Sequence, residues 1–415
     1  MTAPTPLHPL FDHAEARWER YGPPPGGAGQ VAQVDVAALF DFVDIEYAAI
    51  RKGCGLLDQP HRGTLVFTGA DRLAFLNRMV TQELKNAAPF TAHRAFWLNR
   101  KGRIDADLRL IVLEDRIVAD VDLFAADRAR QTLGAYIISD DVAVTDASQS
   151  HHRLALHGPG ARQLLSSFGS HVAGFPVPDL GPGQVSILDV AGHRVIVDRW
   201  DSTGDAGLEL TLAADAVVPV FQTLLQAAHQ NAEGHTGVNP RPRLRPIGWH
   251  AYNVARIEAG TPLYMLDFGP DALPAETGVL HDRVSFKKGC YLGQEIVARM
   301  HALGQPKQTV VGLKFEEPQA GAEVDASPPL LPAAGAPVFL DPIPADGKTA
   351  EPVGSIASGT SSPMLGGTPI AFAMVRQKHS APGTRLLVPC VDHPDAQPLM
   401  RPATVQPGLA FWSRG

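Results

Sequence analysis

The 415-residue sequence predicts an α+β fold: two related αβ units followed by a small C-terminal β-barrel. Three observations carry this expectation. "LVFTGADRLAFL" (Leu65–Leu76) and "LALHGPGARQLL" (Leu154–Leu165) repeat strand, glycine turn and helix in one register, as an internal duplication does. "IDADLRLIVL" alternates with the period of a strand. Toward the C-terminus, "QTVVGLKF", "VGSIASGTSSP", "PIAFAMV" and "GTRLLVPC" are short strand-like runs at turn spacing, which suit a small barrel.

The elements follow in order. Residues 1–44 contain the turn-rich "YGPPPGGAGQ" and read as an N-terminal arm over the surface. "YAAIRKGCGLLD" reads as a helix ending near Gly53, and "GTLVFTG" as a strand. "DRLAFLNRMVTQEL" places Leu73, Leu76, Met79 and Val80 at helical spacing. "AHRAFWLN", the turn "RKGR" and "IDADLRLIVL" form a hairpin. In its second strand Ile104, Ala106, Leu108 and Leu110 face one way, and Asp105, Asp107 and Arg109 the other. That charged row is either a solvated sheet face or the lining of a polar cleft. "HRVIVDRW" is a strand, "TGDAGLELTL" a turn entering one, and "GWHAYNVARIEAG" a helix closed by Gly260. The domain reading is an arm over 1–44, the paired αβ units over 45–305, and the barrel over 306–415. A Pro- and Ala-rich insertion falls at about 317–351.

Composition narrows the function. Hydrophobic residues at 45% and charged residues at 19% describe an ordinary globular chain. A net charge of -7 gives no basic footprint, so no direct nucleic-acid partner is expected. No apolar run is long enough for a membrane span, and the N-terminus lacks the apolar core of a signal peptide. A cytoplasmic protein is therefore expected. Cys54, Cys290 and Cys390 stand far apart without a CxxC pair, so neither a disulfide framework nor a metal site is expected.

Cys290 lies in "KKGCYLGQEIVARM". The following "GQEIVARMHALG" has Ile296, Val297, Met300 and Leu303 at helical spacing, which puts Cys290 just before a helix N-terminus. The macrodipole there favours an anion, as do Lys287 and Lys288. Gly289 and Gly293 loosen the backbone around the thiol. A free cysteine is otherwise a small core residue, and both roles remain open at this level.

The stretch "KGCYLGQE" (Lys288, Gly289, Cys290, Tyr291, Gly293, Gln294 and Glu295), extended to Arg299 by "IVAR", resembles the signature of the YgfZ family of folate-binding proteins. "RIEAGTPLY", "LPAETG" and "VGSIASGTSSPMLGG" extend the resemblance in colinear order. The same frame resembles the glycine-cleavage T protein, a tetrahydrofolate-dependent aminomethyltransferase, and implies its fold around a central folate channel. The resemblance implies tetrahydrofolate or a derivative as cofactor, with Asp107, Asp205, Tyr252 and Glu258 at the cofactor positions and Cys290 as the working thiol. Asp107 matches the transferase's catalytic aspartate. Asp205 replaces its pterin-contacting glutamate, and Tyr252 its folate-contacting arginine. The leading expectation is a folate-binding protein supporting assembly or repair of iron–sulfur enzymes, with client or assembly proteins as partners and an indirect effect on tRNA modification. The alternative is a tetrahydrofolate-dependent aminomethyltransferase or other one-carbon transferase.

Overall fold

Alternating sequences make sheets with two unlike faces, and here both faces are used. The computed structural model describes residues 5–23, 33–233, 243–316, 330–342, 351–391 and 398–412. The chain divides into two units: Met1–Tyr252 with His281–Gln294, and Asn253–Leu280 with Glu295–Gly415.

The first unit holds two larger sheets. One has five strands in the order Thr91–Leu98, Ile104–Val112, Ile117–Asp122, Arg62–Thr68 and Ala143–Asp146. The other runs Gly169–Gly174, Val185–Val190, His193–Arg199, Gly207–Ala213, His151–His157, Cys54–Asp58 and Leu244–Ile247. In this seven-stranded sheet Leu154, Leu156, Val195, Val197, Leu208 and Leu210 enter one apolar core, which also takes Leu164 and Leu165 of the helix Ala161–Phe168. The intervening residues, among them Arg153, Asp198, Glu209 and Thr211, are polar yet just as buried. Ion pairs Arg109–Asp198 and Arg153–Asp120 join the two sheets, so their polar sides meet inside the unit. Of the two readings of the charged row in "IDADLRL", the polar interior is the one the fold adopts.

The internal echo is structural. Strand Arg62–Thr68 leads through Gly69 into helix Arg72–Met79, and strand His151–His157 leads through Gly158 into helix Ala161–Phe168. Both glycines have left-handed φ, +98° and +130°. A Cβ would stand 2.0 Å from the Asp141 carbonyl oxygen at the first and 2.6 Å from that of Gly53 at the second. Each turn therefore needs glycine for the same reason: backbone passes too close for a side chain.

The segment read as an arm is partly structured. His8–His13 is a helix, and Arg17–Tyr21 pairs with Val34–Leu39. Leu7 and Phe11 join the apolar core of the seven-stranded sheet. Most of "YGPPPGGAGQ" lies outside the described residues.

In the second unit six strands close a barrel. Arg385–Val391, Pro337–Leu340, Gly354–Ser362, Thr368–Arg376, Gln308–Phe315 and Leu399–Val405 follow in order, and the last pairs with the first. The short Leu331–Pro332 adds to Arg385–Val391. Inward side chains such as Leu313, Ile356, Ala373, Leu386 and Cys390 fill the barrel. Part of the Pro- and Ala-rich stretch supplies two of these strands; 317–329 and 343–350 lie outside the described residues. Among the described residues no helix is long and apolar enough to cross a membrane.

Candidate functional site

Pairing sets the charges. Strand Ile104–Val112 places Arg109 opposite Arg94 on one neighbour and opposite Asp120 on the other. In the facing sheet, Asp198 lies opposite Glu209. Arg109 Nη2 stands 3.1 Å from Asp120 and 3.6 Å from Glu209, and its Nε 3.3 Å from Asp198. Asp120 also holds Arg62 at 2.9 Å and Arg153 at 3.0 Å.

These groups titrate unequally. Burial opposes the charge on Asp120, but Arg153, Arg62 and Arg109 outweigh it and keep the carboxyl well below its usual range. Asp198 and Glu209 share Arg109, and burial wins at both. Asp198 is raised, and Glu209 is pushed up to about 7, with the nearby Asp198 charge adding to the effect.

A cavity of about 350 Å³ opens beside this network within the first unit, lined in part by Arg94, Arg109, Asp198, Arg199, Trp200 and Asp282. The Arg94 guanidinium lies 4.2 Å from the centre of the Trp200 ring, and that of Arg109 5.1 Å. Arg199 is neutralised by a two-pronged contact with Asp201 at 2.9 and 2.8 Å. Burial, with Arg283 and Arg109 close by, disfavours the charge on Arg94, and Asp107 offsets this only in part. Such a wall suits a ligand carrying both hydrogen-bond donors and negative charge.

The residues picked out from sequence fall into separate groups. Asp107 accepts a hydrogen bond from Arg283 Nε at 3.1 Å, and Arg283 also pairs with Asp282 of the cavity wall. Asp107 is thereby tied to the cavity. Asp205 accepts from Arg51 Nη1 at 3.0 Å; Arg51 also reaches the Thr203 carbonyl at 2.5 Å and the Tyr47 hydroxyl at 3.0 Å. Tyr252 donates to Ser202 Oγ at 3.4 Å. Glu258 belongs to the second unit, where its carboxylate accepts from Ser362 Oγ and the Met364 N–H. Glu295 and Arg299 also lie there, on the helix Gln294–Leu303.

The cysteine motif is a turn fastened at several points. Lys288 is buried, and its ammonium donates to the carbonyls of Asn77 and Val80 at 2.6 Å and of Gln82 at 3.0 Å. Burial pulls its pKa down to about 8, and those oxygens take up its donors. These contacts make Lys288 an anchor of the turn, a role that its place beside the thiol in sequence did not suggest. Gly293 is left-handed at φ +79°, and a Cβ there would stand 2.9 Å from the Asn99 carbonyl oxygen. Tyr291 is buried, its N–H donating to Gln294 Oε1 at 3.3 Å. Gly289 adjoins open space. Cys290 is exposed, four residues before the helix begins, while Cys54 and Cys390 are buried.

Thiol labelling should follow that burial. Iodoacetamide is expected to modify Cys290 in the native protein and the other two only on unfolding. Burial raises the Cys54 thiol far above its ordinary range and pushes Cys390 up to about 11. Peptide mapping checks this, and native labelling of Cys54 or Cys390 at the rate of Cys290 would contradict it.

Sequence reading passed over Arg94, Asp198, Trp200, Glu209 and Arg283. A usable signal was present in "HRVIVDRW", where an aspartate interrupts a Val- and Ile-rich strand that has no reason to face water.

Residues 16–288 match the family model described as the GCVT N-terminal domain, and residues 319–404 that of the glycine cleavage T-protein C-terminal barrel domain. An aminomethyltransferase of Halalkalibacterium halodurans is 27% identical over 385 residues, 92% of each chain. One of Chlorobium luteolum is 26% identical over 405 residues, 97% of each. The crystal structure of the glycine cleavage system aminomethyltransferase T from Bartonella henselae superposes over 100% of this chain and 99% of its own. The TM-score is 0.77 at 21% identity, a likeness of fold.

Proposed function

Because the chain belongs to the glycine-cleavage T-protein family, we propose that it binds tetrahydrofolate or a derivative and handles a one-carbon unit of the aminomethyl kind. The observation that carries this reading is the end-to-end, colinear match to aminomethyltransferases over 92–97% of the chain. The residues present suit such a cofactor. A cavity of about 350 Å³ falls within the roughly 300–1,000 Å³ of small-molecule sites. The wall sets the guanidinium groups of Arg94 and Arg109 against the Trp200 ring and includes the acidic residues Asp201 and Asp282. When bound, the reduced folate supplies the nitrogens that carry a one-carbon unit. The chain's part is to orient and to manage protons: Arg283 fixes the Asp107 carboxylate, and the surrounding sheets keep water from the interior charges.

Titration calorimetry with tetrahydrofolate should show saturable binding. Aminomethyl transfer from a lipoyl carrier should fall about 100-fold or more in Asp107→Asn, the scale of losing a positioned proton acceptor. No heat and no thermal shift at millimolar ligand would remove folate from the account.

One observation favours a second reading. Cys290 is exposed within the Lys288–Glu295 motif, as a working thiol requires. This fits a YgfZ-like role in assembly or repair of iron–sulfur enzymes, reaching tRNA modification indirectly. A lone cysteine there would act transiently, since a cluster needs about four ligands. A deletion strain complemented with Cys290→Ala separates the two. Failed iron–sulfur enzyme activity alongside intact folate binding and no aminomethyl transfer favours the second.

A further inference from the structure

The charged groups that line the cavity of the first unit are unequally partnered. Its carboxylates already have cations. Asp201 holds Arg199 by two contacts and also accepts from the Gly207 N–H at 3.0 Å. Asp282 pairs with Arg283, and Asp198 is sealed away with Arg109 at 3.3 Å. Arg109 is itself buried, and against burial Asp198, Asp120 and Glu209 favour its charge. Arg94 differs on each count. Its side chain is 21% exposed on the cavity wall. A guanidinium has five N–H donors, and among the described residues those of Arg94 meet one acceptor, Asp282 Oδ2, at 3.5 Å. That oxygen also takes Arg283 Nη1, and Asp282 is 58% exposed, so the contact with Arg94 is weak and readily exchanged. Burial and Arg283 disfavour the charge on Arg94, and Asp107 offsets this only in part.

Resting on the folate reading above, we infer that Arg94 receives a carboxylate of the ligand, one of the two on the glutamyl part of tetrahydrofolate. The residue thereby sets a preference for the acid over uncharged analogues of the same size. A carboxylate meets a guanidinium through two parallel N–H···O bonds, the arrangement that Arg199 and Asp201 make in the same wall. The Trp200 ring, 4.2 Å from the Arg94 guanidinium, holds that group in place, so less side-chain freedom is lost when the anion arrives.

The test is titration calorimetry on the full chain with tetrahydrofolate and with its diamide, in which both glutamyl carboxylates are carboxamides. The unchanged protein should bind the acid about 10-fold more tightly, the low end of what a hydrogen bond to a charged group contributes. Arg94→Gln should bring that ratio below about 3-fold. Arg78→Gln, which removes the Arg78–Asp140 pair outside the cavity wall, should leave it unchanged. A ratio is insensitive to general loss of folded protein. Phenylglyoxal labelling of the unchanged protein adds a readout that needs no variant. At equal occupancy, tetrahydrofolate should slow modification of the Arg94 peptide more than the diamide does. Equal protection by the two ligands, or a ratio below about 3-fold in the unchanged protein, overturns the inference and leaves the folate reading standing. So does an Arg94→Gln protein that keeps the preference, or an Arg78→Gln protein that loses it. Absence of binding by either ligand removes the folate reading and this inference together.

Discussion

Replacing Arg256 by methionine is expected to destabilise the barrel-bearing unit by about 3–5 kcal/mol, the effect of removing one partner of a buried ion pair. Arg256 is 0% exposed and pairs with Asp267, itself 3% exposed. The nitrogen that pairs with Asp267, Nη1, also donates to the Thr261 carbonyl at 3.1 Å, while Nη2 reaches Ser358 Oγ at 2.9 Å and Nε reaches Asn253 Oδ1 at 2.7 Å. Asp267 in turn accepts from the Leu263 N–H at 2.7 Å and from Ser358 Oγ at 2.5 Å. Methionine fills much of the volume but strands the Asp267 charge in the interior. Adding Asp267→Asn should therefore recover part of the loss. Denaturant unfolding followed by barrel-specific hydrogen exchange measures both. A loss below about 1 kcal/mol for the single variant, no more than many surface ion pairs are worth, would show that the pair carries little of the unit's stability.

Lys288→Met should cost the first unit about 2–4 kcal/mol, from three carbonyl acceptors losing a charged donor in a partly dry site. Asn77, Val80 and Gln82 stand in and after the last turn of helix Arg72–Met79, where carbonyls lack helical partners. The ammonium is their C-terminal cap, and a cation there also suits the helix dipole. Urea unfolding gives the free energy, and exchange of the amides around residues 285–293 should quicken. An unchanged midpoint with unchanged exchange would mean that water replaces the ammonium at no cost.

Much of this fold was legible. The repeated strand–glycine–helix pattern, the hairpin around "RKGR", the helix stopping at Gly53 and the terminal strands all follow from local chemistry: period, turn residues and backbone freedom. What was not legible is the identity of opposing surfaces. Alternation puts Asp107 and Arg109 on one side of a strand but is silent on what faces them. Asp198 and Glu209 arrive from strands far along the chain. Lys288 is the sharper example. Its sequence neighbour is Cys290, whereas its hydrogen-bond partners lie 206 to 211 residues away. Proximity in sequence suggested an electrostatic influence on a thiol, and the fold uses the residue to fasten a loop.

Synthesis on the ribosome meets a particular difficulty here. The first unit is Met1–Tyr252 completed by His281–Gln294, so translation passes through a segment of the second unit before the first is finished. At about 5–20 residues per second, a nascent chain that has reached Tyr252 waits on the order of 2–8 seconds for its last piece. For most of that interval, until Arg283 and Lys288 have been added, the carbonyls that Lys288 caps have no ammonium and Asp107 has no Arg283. A stalled or prematurely terminated chain stays in that open state permanently, a natural substrate for chaperones and proteases. An N-terminal fragment ending at Tyr252 is therefore expected to lack the Arg283 and Lys288 contacts and to unfold at lower denaturant than the first unit of the full chain.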